Sequence, residues 1–263
     1  MLRLTASARS HIGKVRSKNE DNLCMNDQIL PENKENECIL THRSRTTGFF
    51  GVFDGMGGYA AGERASFVMA QLAQQICGEK VYEPVQRLLK LCDDANLAVC
   101  QQMRDYDGSR MGTTASMLYF QKRTFTLCNI GDSPIFLYRN GRLTQIHQEH
   151  TERATYEAVT GRPADPKKKF RLTQNIGMFP DEIVIEPYCV QGKVLPGDIF
   201  LICSDGITDM VQPPQIIEVL RTQSTADAIT KELVTLALDA GGKDNATVIC
   251  VCVETGWLSR LCR

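Results

Sequence analysis

The sequence predicts an α+β fold in which hairpin-linked strands are interrupted by helices that come in pairs. Short apolar segments rich in β-branched and aromatic residues recur along the chain and are bounded by Gly, Asp or Asn, which is the pattern of strands. Two pairs of longer segments carry apolar residues at helical spacing instead. Because the helices are paired and do not alternate one by one with strands, the order favours α+β packing over a doubly wound βαβ sheet.

The strand segments follow one another closely enough to form hairpins. Strands are predicted over residues 22–26, 48–53, 114–120, 124–130, 135–139, 182–188, 198–204 and 246–253. The sequence Arg139-Asn140-Gly141 indicates a tight turn after one of them, since Asn and Gly tolerate the backbone conformations that such turns need. Residues 30–47 are polar and lie between two strands, so we expect them to form an extended hairpin tip.

Helices are predicted over residues 61–77, 82–104, 213–221 and 225–240. The third opens with Pro213-Pro214 and the fourth ends at Gly241-Gly242, residues typical of helix starts and ends. Residues 159–181 contain three prolines and a run of lysines. Long irregular segments in compact domains are more often functional than idle, so we expect this loop to serve the site.

Composition excludes several classes of protein. The 263 residues carry a formal net charge of −1, whereas nucleic-acid binders and polybasic membrane anchors have a basic excess. No apolar run approaches the ~20 residues that span a bilayer, and no secretory signal pattern opens the chain. Eleven cysteines, an odd number without a C-x-x-C pair, are typical of buried thiols in a reducing compartment. We expect a monomeric cytoplasmic protein with one domain over residues 1–254 and a short tail over 255–263.

Aspartates beside glycine or asparagine recur at the ends of predicted strands. Four such residues are Asp54, Asp132, Asp205 and Asp244, and the pair Glu20-Asp21 precedes a further strand. One Asp-Gly is usually only a turn, but the strand ends of a shared sheet converge. Converging carboxylates repel one another unless they are protonated or bind cations, and hard oxygen ligands select Mg²⁺ or Mn²⁺.

Two such ions, about 3.5–4 Å apart, can activate a water and stabilise a displacement at phosphorus. A guanidinium suits the phosphoryl oxygens, and Arg16 stands four residues before Glu20. The residues therefore predict a divalent-metal phosphoester hydrolase.

Seven segments, in this order, resemble the motifs of the metal-dependent protein phosphatases (the PPM or type 2C serine/threonine phosphatases). They are GKVRSKNED (13–21), FDGMGG (53–58), MGTT (111–114), NIGDS (129–133), HT (150–151), CSDGIT (203–208) and GGKDNAT (241–247). A single motif would be weak evidence, but the ordered set spans nearly the whole chain. The resemblance implies an αββα sandwich, two antiparallel sheets flanked by helix pairs, and a bacterial-type, single-domain member.

The resemblance also implies the role of each site residue. Asp54 would bridge two Mn²⁺ or Mg²⁺ ions, with the Gly55 carbonyl on one and Asp205 and Asp244 on the other. Bacterial members often bind a third ion, here through Asp132 and Asp205. The remaining roles go to Glu20 and Asp21, which would act mainly through metal-bound waters, to Arg16, which would hold the substrate phosphate, and to residues 155–181, the family's mobile flap beside the site.

The implied activity is hydrolysis of phosphoserine and phosphothreonine in proteins, reversing a serine/threonine kinase. Met56 stands where eukaryotic members carry a histidine proposed as general acid, so the proton donor to the leaving group is left open. Pro134, Glu149 and Arg110 also replace usual family residues, but none is an expected metal ligand. The alternative function is a pseudophosphatase that binds phosphoproteins without turnover; the presence of all expected carboxylates argues against it.

Overall fold

The computed structural model describes residues 2–44, 47–57, 62–76, 83–105, 109–165, 168 and 170–255. The strands in these ranges are β1 (Leu2–His11), β2 (Asn22–Met25), β3 (Gln28–Ile29), β4 (Glu37–Ser44), β5 (Thr47–Phe53), β6 (Gly55–Gly57), β7 (Met111–Thr113), β8 (Ala115–Gln121), β9 (Thr124–Ile130), β10 (Ile135–Arg139), β11 (Arg142–Gln145), β12 (Tyr188–Lys193), β13 (Ile199–Cys203) and β14 (Ala246–Thr255). The helices are α1 (Gly62–Ile76), α2 (Pro84–Asp105), α3 (Glu152–Thr160), α4 (Asp205–Thr208), α5 (Pro213–Thr222) and α6 (Ala226–Asp239). The expected tail over 255–263 lies, beyond Thr255, outside the described residues.

Two six-stranded antiparallel sheets form the centre of the molecule. The first has the order β11-β10-β13-β14-β1-β4 and the second the order β12-β9-β8-β5-β2-β3, while β6 and β7 form a separate two-stranded ribbon. In the first sheet β1 pairs with β14 along its whole length, from Leu2 opposite Thr255 to His11 opposite Ala246.

The alternation of side chains along the strands divides the apolar residues among three clusters. Along β14, Ile249 and Val251 lie in the core between the sheets, whereas Val248 and Cys250 pack against α5 and α6. A third cluster joins α1 and α2 to the outer face of the second sheet. The predicted αββα four-layer sandwich is therefore confirmed. None of the helices among the described residues is long and apolar enough to cross a membrane.

The ends of the second helix pair follow from their sequence. Pro213 occupies the first turn of α5, where a missing amide proton costs nothing. The hydroxyl of Thr225 accepts a hydrogen bond from the Ala228 amide and caps α6. Beyond α6, Gly241 and Gly242 have φ values of +126° and +52°, a conformation that glycine adopts without strain.

Two sequence expectations about local structure are wrong. Residues 182–188 do not form a strand, because Pro187 lacks an amide donor and the side chain of Val184 stays 74% exposed. The strand begins only at Tyr188 and pairs with β9. Residues 30–47 are not a hairpin tip, since they contain β4, an edge strand paired with β1. Its outward polar residues mimic a loop, while Cys38 and Leu40 pack against the core.

The aromatic centre of the sandwich gives a stability prediction. Phe200 is fully buried and packs edge to face against Phe120 and Phe125, with ring centroids 5.0 and 5.1 Å apart. We expect Phe200→Ala to lower the free energy of unfolding by about 3–5 kcal/mol, because it removes these contacts and leaves a cavity. Urea denaturation measures the change. Phe200→Leu should lose clearly less stability than Phe200→Ala. An equal loss of stability in both variants would contradict the cavity explanation.

Candidate active site

The strand ends that carry the predicted site carboxylates meet at one edge of the sandwich. Asp54 follows β5, Asp132 follows β9 and Asp205 follows β13, while Asp244 precedes β14 and Glu20 precedes β2. A cavity of about 340 Å³ lies between them. Its lining consists of Arg16, Glu20, Asp54, Gly55, Met56, Gly57, Thr114, Asp132, Leu172, Asp205 and Asp244. The structure thus brings the predicted site residues together around one cavity, except for Asp21, which does not line it.

Asp54 occupies the centre of this cavity and is held by its backbone. Its amide donates to the hydroxyl of Thr114 at 3.0 Å, and its carbonyl accepts from the Thr114 amide and the Thr113 hydroxyl at 2.9 and 3.0 Å. No hydrogen bond from a described residue reaches its carboxylate. Burial, and then the negative charge of the surrounding aspartates, raises the pKa of Asp54 well above its ordinary value.

The neighbouring carboxylates experience the same crowding. Burial and then the charge of Asp132 raise the pKa of Asp205 to about 7. Burial raises the pKa of Asp132 to about 6, with a further contribution from Glu149. Such shifts indicate that the cavity lacks compensating positive charge for the carboxylates it contains.

The loop between β1 and β2 is fastened to the start of β14. The side-chain amide of Asn245 donates to the carbonyls of Ile12 and Lys18, and its oxygen accepts from the Glu20 amide at 2.8 Å. Gly13 has a φ of +86°, and a side chain there would collide with the Asp244 carbonyl. These contacts place Glu20 at the cavity edge, and they explain why the loop carries a glycine at position 13 and why an asparagine stands just before β14.

Asp21 lies behind the cavity and does not line it. Its side chain is buried and accepts a hydrogen bond from the Ser204 hydroxyl at 2.8 Å. Burial raises the pKa of Asp21 to about 6, against the stabilising effect of hydrogen bonds from Thr247 and Ser204. From this buried position Asp21 could act on an ion in the cavity only through water, as the resemblance implies, and not by direct contact.

Arg16 is paired with one of the expected metal ligands. Its guanidinium lies 2.5 Å from a carboxylate oxygen of Asp244, and both side chains are partly exposed. Among the described residues no other lysine or arginine forms an ion pair with a cavity carboxylate, so this pair is the local source of compensating charge. The pair would have to separate for Arg16 to contact a phosphate and for Asp244 to contact an ion.

The donor set tests whether divalent ions fit. Among the described residues no three His, Cys, Asp or Glu side chains are already grouped closely enough to enclose one ion. Small divalent cations, however, keep several waters and need only one or two carboxylates each. The cavity offers several carboxylate oxygens with raised pKa values, together with the backbone at Gly55, where any side chain would collide with Glu20 and Gly62. Hard divalent ions therefore fit this site.

Sequence reasoning missed the residues that position the carboxylates. Thr114 was expected only to serve strand packing near the site and Asn245 received no role, although their side chains fix Asp54 and Glu20. Leu172, from the loop after α3, was also unforeseen as part of the cavity lining. Its segment is anchored near the site, since the His150 amide donates to the Gly131 carbonyl and the Thr173 amide to the His150 carbonyl.

Sequence and structure comparisons agree on the family. The family model of protein phosphatase 2C matches residues 8–159, more than half of the chain. The chain belongs to the protein phosphatase 2C family. The resemblance seen in the ordered motifs is confirmed.

Two bacterial phosphatases are among the relatives that this chain matches. The serine/threonine protein phosphatase PstP of Mycobacterium tuberculosis is 32% identical over 94% of the chain, which spans 44% of that relative's length. The serine/threonine phosphatase stp of Listeria monocytogenes is 26% identical, with 94% of both chains covered. The crystal structure of the PstP catalytic domain in complex with two manganese ions has a TM-score of 0.79 and 30% identity, covering 97% of this chain and 100% of that one.

Proposed function

We propose that this protein is a metal-dependent protein phosphatase that hydrolyses phosphoserine and phosphothreonine and so reverses a serine/threonine kinase. The observation that supports it most is the cavity at the strand ends, which Asp54, Asp132, Asp205 and Asp244 line together with Arg16. Relatives named serine/threonine phosphatases and the two manganese ions of the PstP structure support the same conclusion. We further propose that it acts as a cytoplasmic monomer.

The expected metal set divides among the cavity residues. Asp54 and the Gly55 carbonyl would hold one Mn²⁺ or Mg²⁺ ion, Asp54 with Asp205 and Asp244 a second, and Asp132 with Asp205 a third. When bound, such ions lower the pKa of water and stabilise negative charge on phosphoryl oxygens. Glu20 and Asp21 would orient water molecules at the edge of this set.

The chain's own contribution is positioning. Thr113 and Thr114 hold the backbone of Asp54, and Asn245 holds the loop that carries Arg16 and Glu20. Once free of Asp244, the guanidinium of Arg16 would donate to two phosphoryl oxygens and fix the phosphate for in-line attack. Met56 lines the cavity but has no exchangeable proton, so the leaving group must receive its proton from another group.

Metal dependence tests this function directly. We expect chelated protein to be inactive towards p-nitrophenyl phosphate and a phosphothreonine peptide, and added Mn²⁺ to restore turnover. Calorimetry should detect at least two manganese ions per chain. Manganese binding without turnover of either substrate would instead support the pseudophosphatase alternative, and no binding at all would contradict the proposed metal site.

A further inference from the structure

A second and larger cavity adjoins the proposed catalytic cavity. It has a volume of about 660 Å³ and shares Asp132 and Asp205 with its neighbour. Its other lining residues come from β10, β11, the segment around α3, and the region from α4 to α5. Because the two cavities share two carboxylates, a polypeptide bound at the first could continue into the second. We call the second cavity the side groove.

One wall of the side groove carries positive charge on an aromatic support. The guanidinium carbon of Arg153 lies 5.3 Å, and the ammonium nitrogen of Lys168 5.4 Å, from the centre of the Phe170 ring. Such contacts hold cations in place while leaving them accessible. Among the described residues neither cation forms an ion pair with a carboxylate, so both charges are available to a ligand.

This cationic wall is fixed relative to the catalytic cavity. The Thr151 hydroxyl caps α3 by accepting from the Ala154 amide, so Arg153 stands in a defined first turn. The Glu152 amide donates to the Arg171 carbonyl at 2.9 Å, which ties α3 to the strand-like segment that follows Phe170. Leu172, in the same segment, already lines the catalytic cavity.

The opposite wall and the floor are mixed in character. Phe136, Val211 and Ile216 belong to the buried core and form an apolar floor. Besides the shared Asp132 and Asp205, two more carboxylates line the groove. Glu149 accepts a hydrogen bond from Gln145 at 3.1 Å, and Asp209 lies near enough to Arg153 for their charges to interact. On the Phe170 side a ligand would therefore meet two cations without an ion pair among the described residues, of which Arg153 also interacts with the charge of Asp209.

We propose that the side groove binds the polypeptide segment next to the phosphorylated residue of the substrate, and that Arg153 and Lys168 select an acidic side chain in that segment. This inference rests on the proposed phosphatase function, since the substrate reaches the groove from the catalytic cavity. A small phosphate ester has no neighbouring side chain for these cations to select. Selection by the groove is therefore confined to peptides and proteins.

The test compares five phosphothreonine peptides: one with neutral flanks, and four in which either the N-terminal or the C-terminal flank is made acidic or basic. We expect kcat/KM to favour the better acidic peptide over its basic counterpart by about tenfold, as two unpaired cations can provide. Arg153→Glu/Lys168→Glu should reverse this preference, whereas its turnover of p-nitrophenyl phosphate should stay within about twofold of the unmodified protein. The double variant Lys193→Glu/Lys231→Glu makes the same change in net charge at exposed positions that do not line the groove. It should keep the original preference.

Binding gives a second readout that does not require turnover. Fluorescence anisotropy of the same labelled peptides should show tighter binding of the acidic one to the unmodified protein and of the basic one to the Arg153→Glu/Lys168→Glu variant. An unchanged preference in that variant, or an equal change in the Lys193/Lys231 control, would overturn the proposal. Failure of p-nitrophenyl phosphate hydrolysis would instead count against the proposed function, while the anisotropy series would still decide the role of the groove.

Discussion

Asp54→Asn is expected to abolish phosphatase activity and, at the same time, to stabilise the metal-free protein. Divalent ions stabilise a phosphoryl transition state by several kcal/mol, and each ~1.4 kcal/mol corresponds to a factor of ten. Loss of the bridging carboxylate should therefore reduce kcat by ~1000-fold or more. Because the Asp54 carboxylate is crowded by like charges and accepts no hydrogen bond from a described residue, a neutral amide of the same shape removes repulsion from the folded state.

Thermal unfolding with and without Mn²⁺ separates these two effects. In the presence of a chelator the Asp54→Asn variant should melt at a higher temperature than the unmodified protein, and Mn²⁺ should raise its Tm much less. Asp93→Asn, an isosteric change on the exposed face of α2, is the matched control and should alter neither activity nor the manganese response. An Asp54→Asn variant that is destabilised in chelator, or still active, would contradict the proposed role of the carboxylate.

The metal-free protein is expected to lose stability as pH rises above 6.5, and Mn²⁺ to reverse this trend. The pKa of Asp205 is raised to about 7 and that of Asp54 lies well above its usual 3.8. The folded state therefore retains protons that the unfolded chain has already released, and the free energy of unfolding falls with pH by up to about 1.4 kcal/mol per unit for each such carboxyl.

The choice of pH window matters because a histidine acts in the opposite direction. Burial lowers the pKa of His147 to about 4, so its effect is a loss of stability as pH falls below its unfolded value of 6.5. Burial lowers the pKa values of His42 and His150 as well. Urea denaturation between pH 6.5 and 8 keeps the contribution of all three histidines small, because this range lies at or above their unfolded pKa. In chelator the free energy of unfolding should fall with pH, and it should fall less steeply in Asp54→Asn. With saturating Mn²⁺ it should stay constant or rise with pH, since metal ions displace the retained protons. A slope in chelator that is equally steep in Asp54→Asn would contradict this assignment.

Much of the fold could be predicted from the sequence because its periodic patterns are long. Helices α1, α2, α5 and α6 and most strands of the second sheet lie within a residue or two of their predicted bounds. Elements were missed where the local pattern was not decisive. The polar outer face of β4 resembles a loop until β1 is seen beside it, and the apolar run 182–188 resembles a strand although Pro187 interrupts its hydrogen bonding.

The carboxylates of the site could be predicted from the sequence, but their environment could not. The aspartates at strand ends can be recognised in the sequence by the glycine or asparagine beside them and by the ordered motifs to which they belong. The pairing of Arg16 with Asp244 and the withdrawal of Asp21 behind the cavity depend on distances across the two sheets, which no local pattern contains. The same holds for the cations on Phe170, since Arg153 and Lys168 are brought together only by the turn after α3.

The central pairing of β1 with β14 affects how the protein folds during its synthesis. Leu2 and Thr255 are partners in the middle of a sheet, so a strand synthesised near the start of the chain waits for one synthesised near residue 250. Such long-range pairing slows folding, because a large loop must close before the contacts that reward it form. On the ribosome β1 has no neighbour on that side until β14 emerges, and the cavity that needs both Arg16 and Asp244 is assembled late. We therefore expect nascent chains that end before β14 to lack the metal site, however well their second sheet has folded.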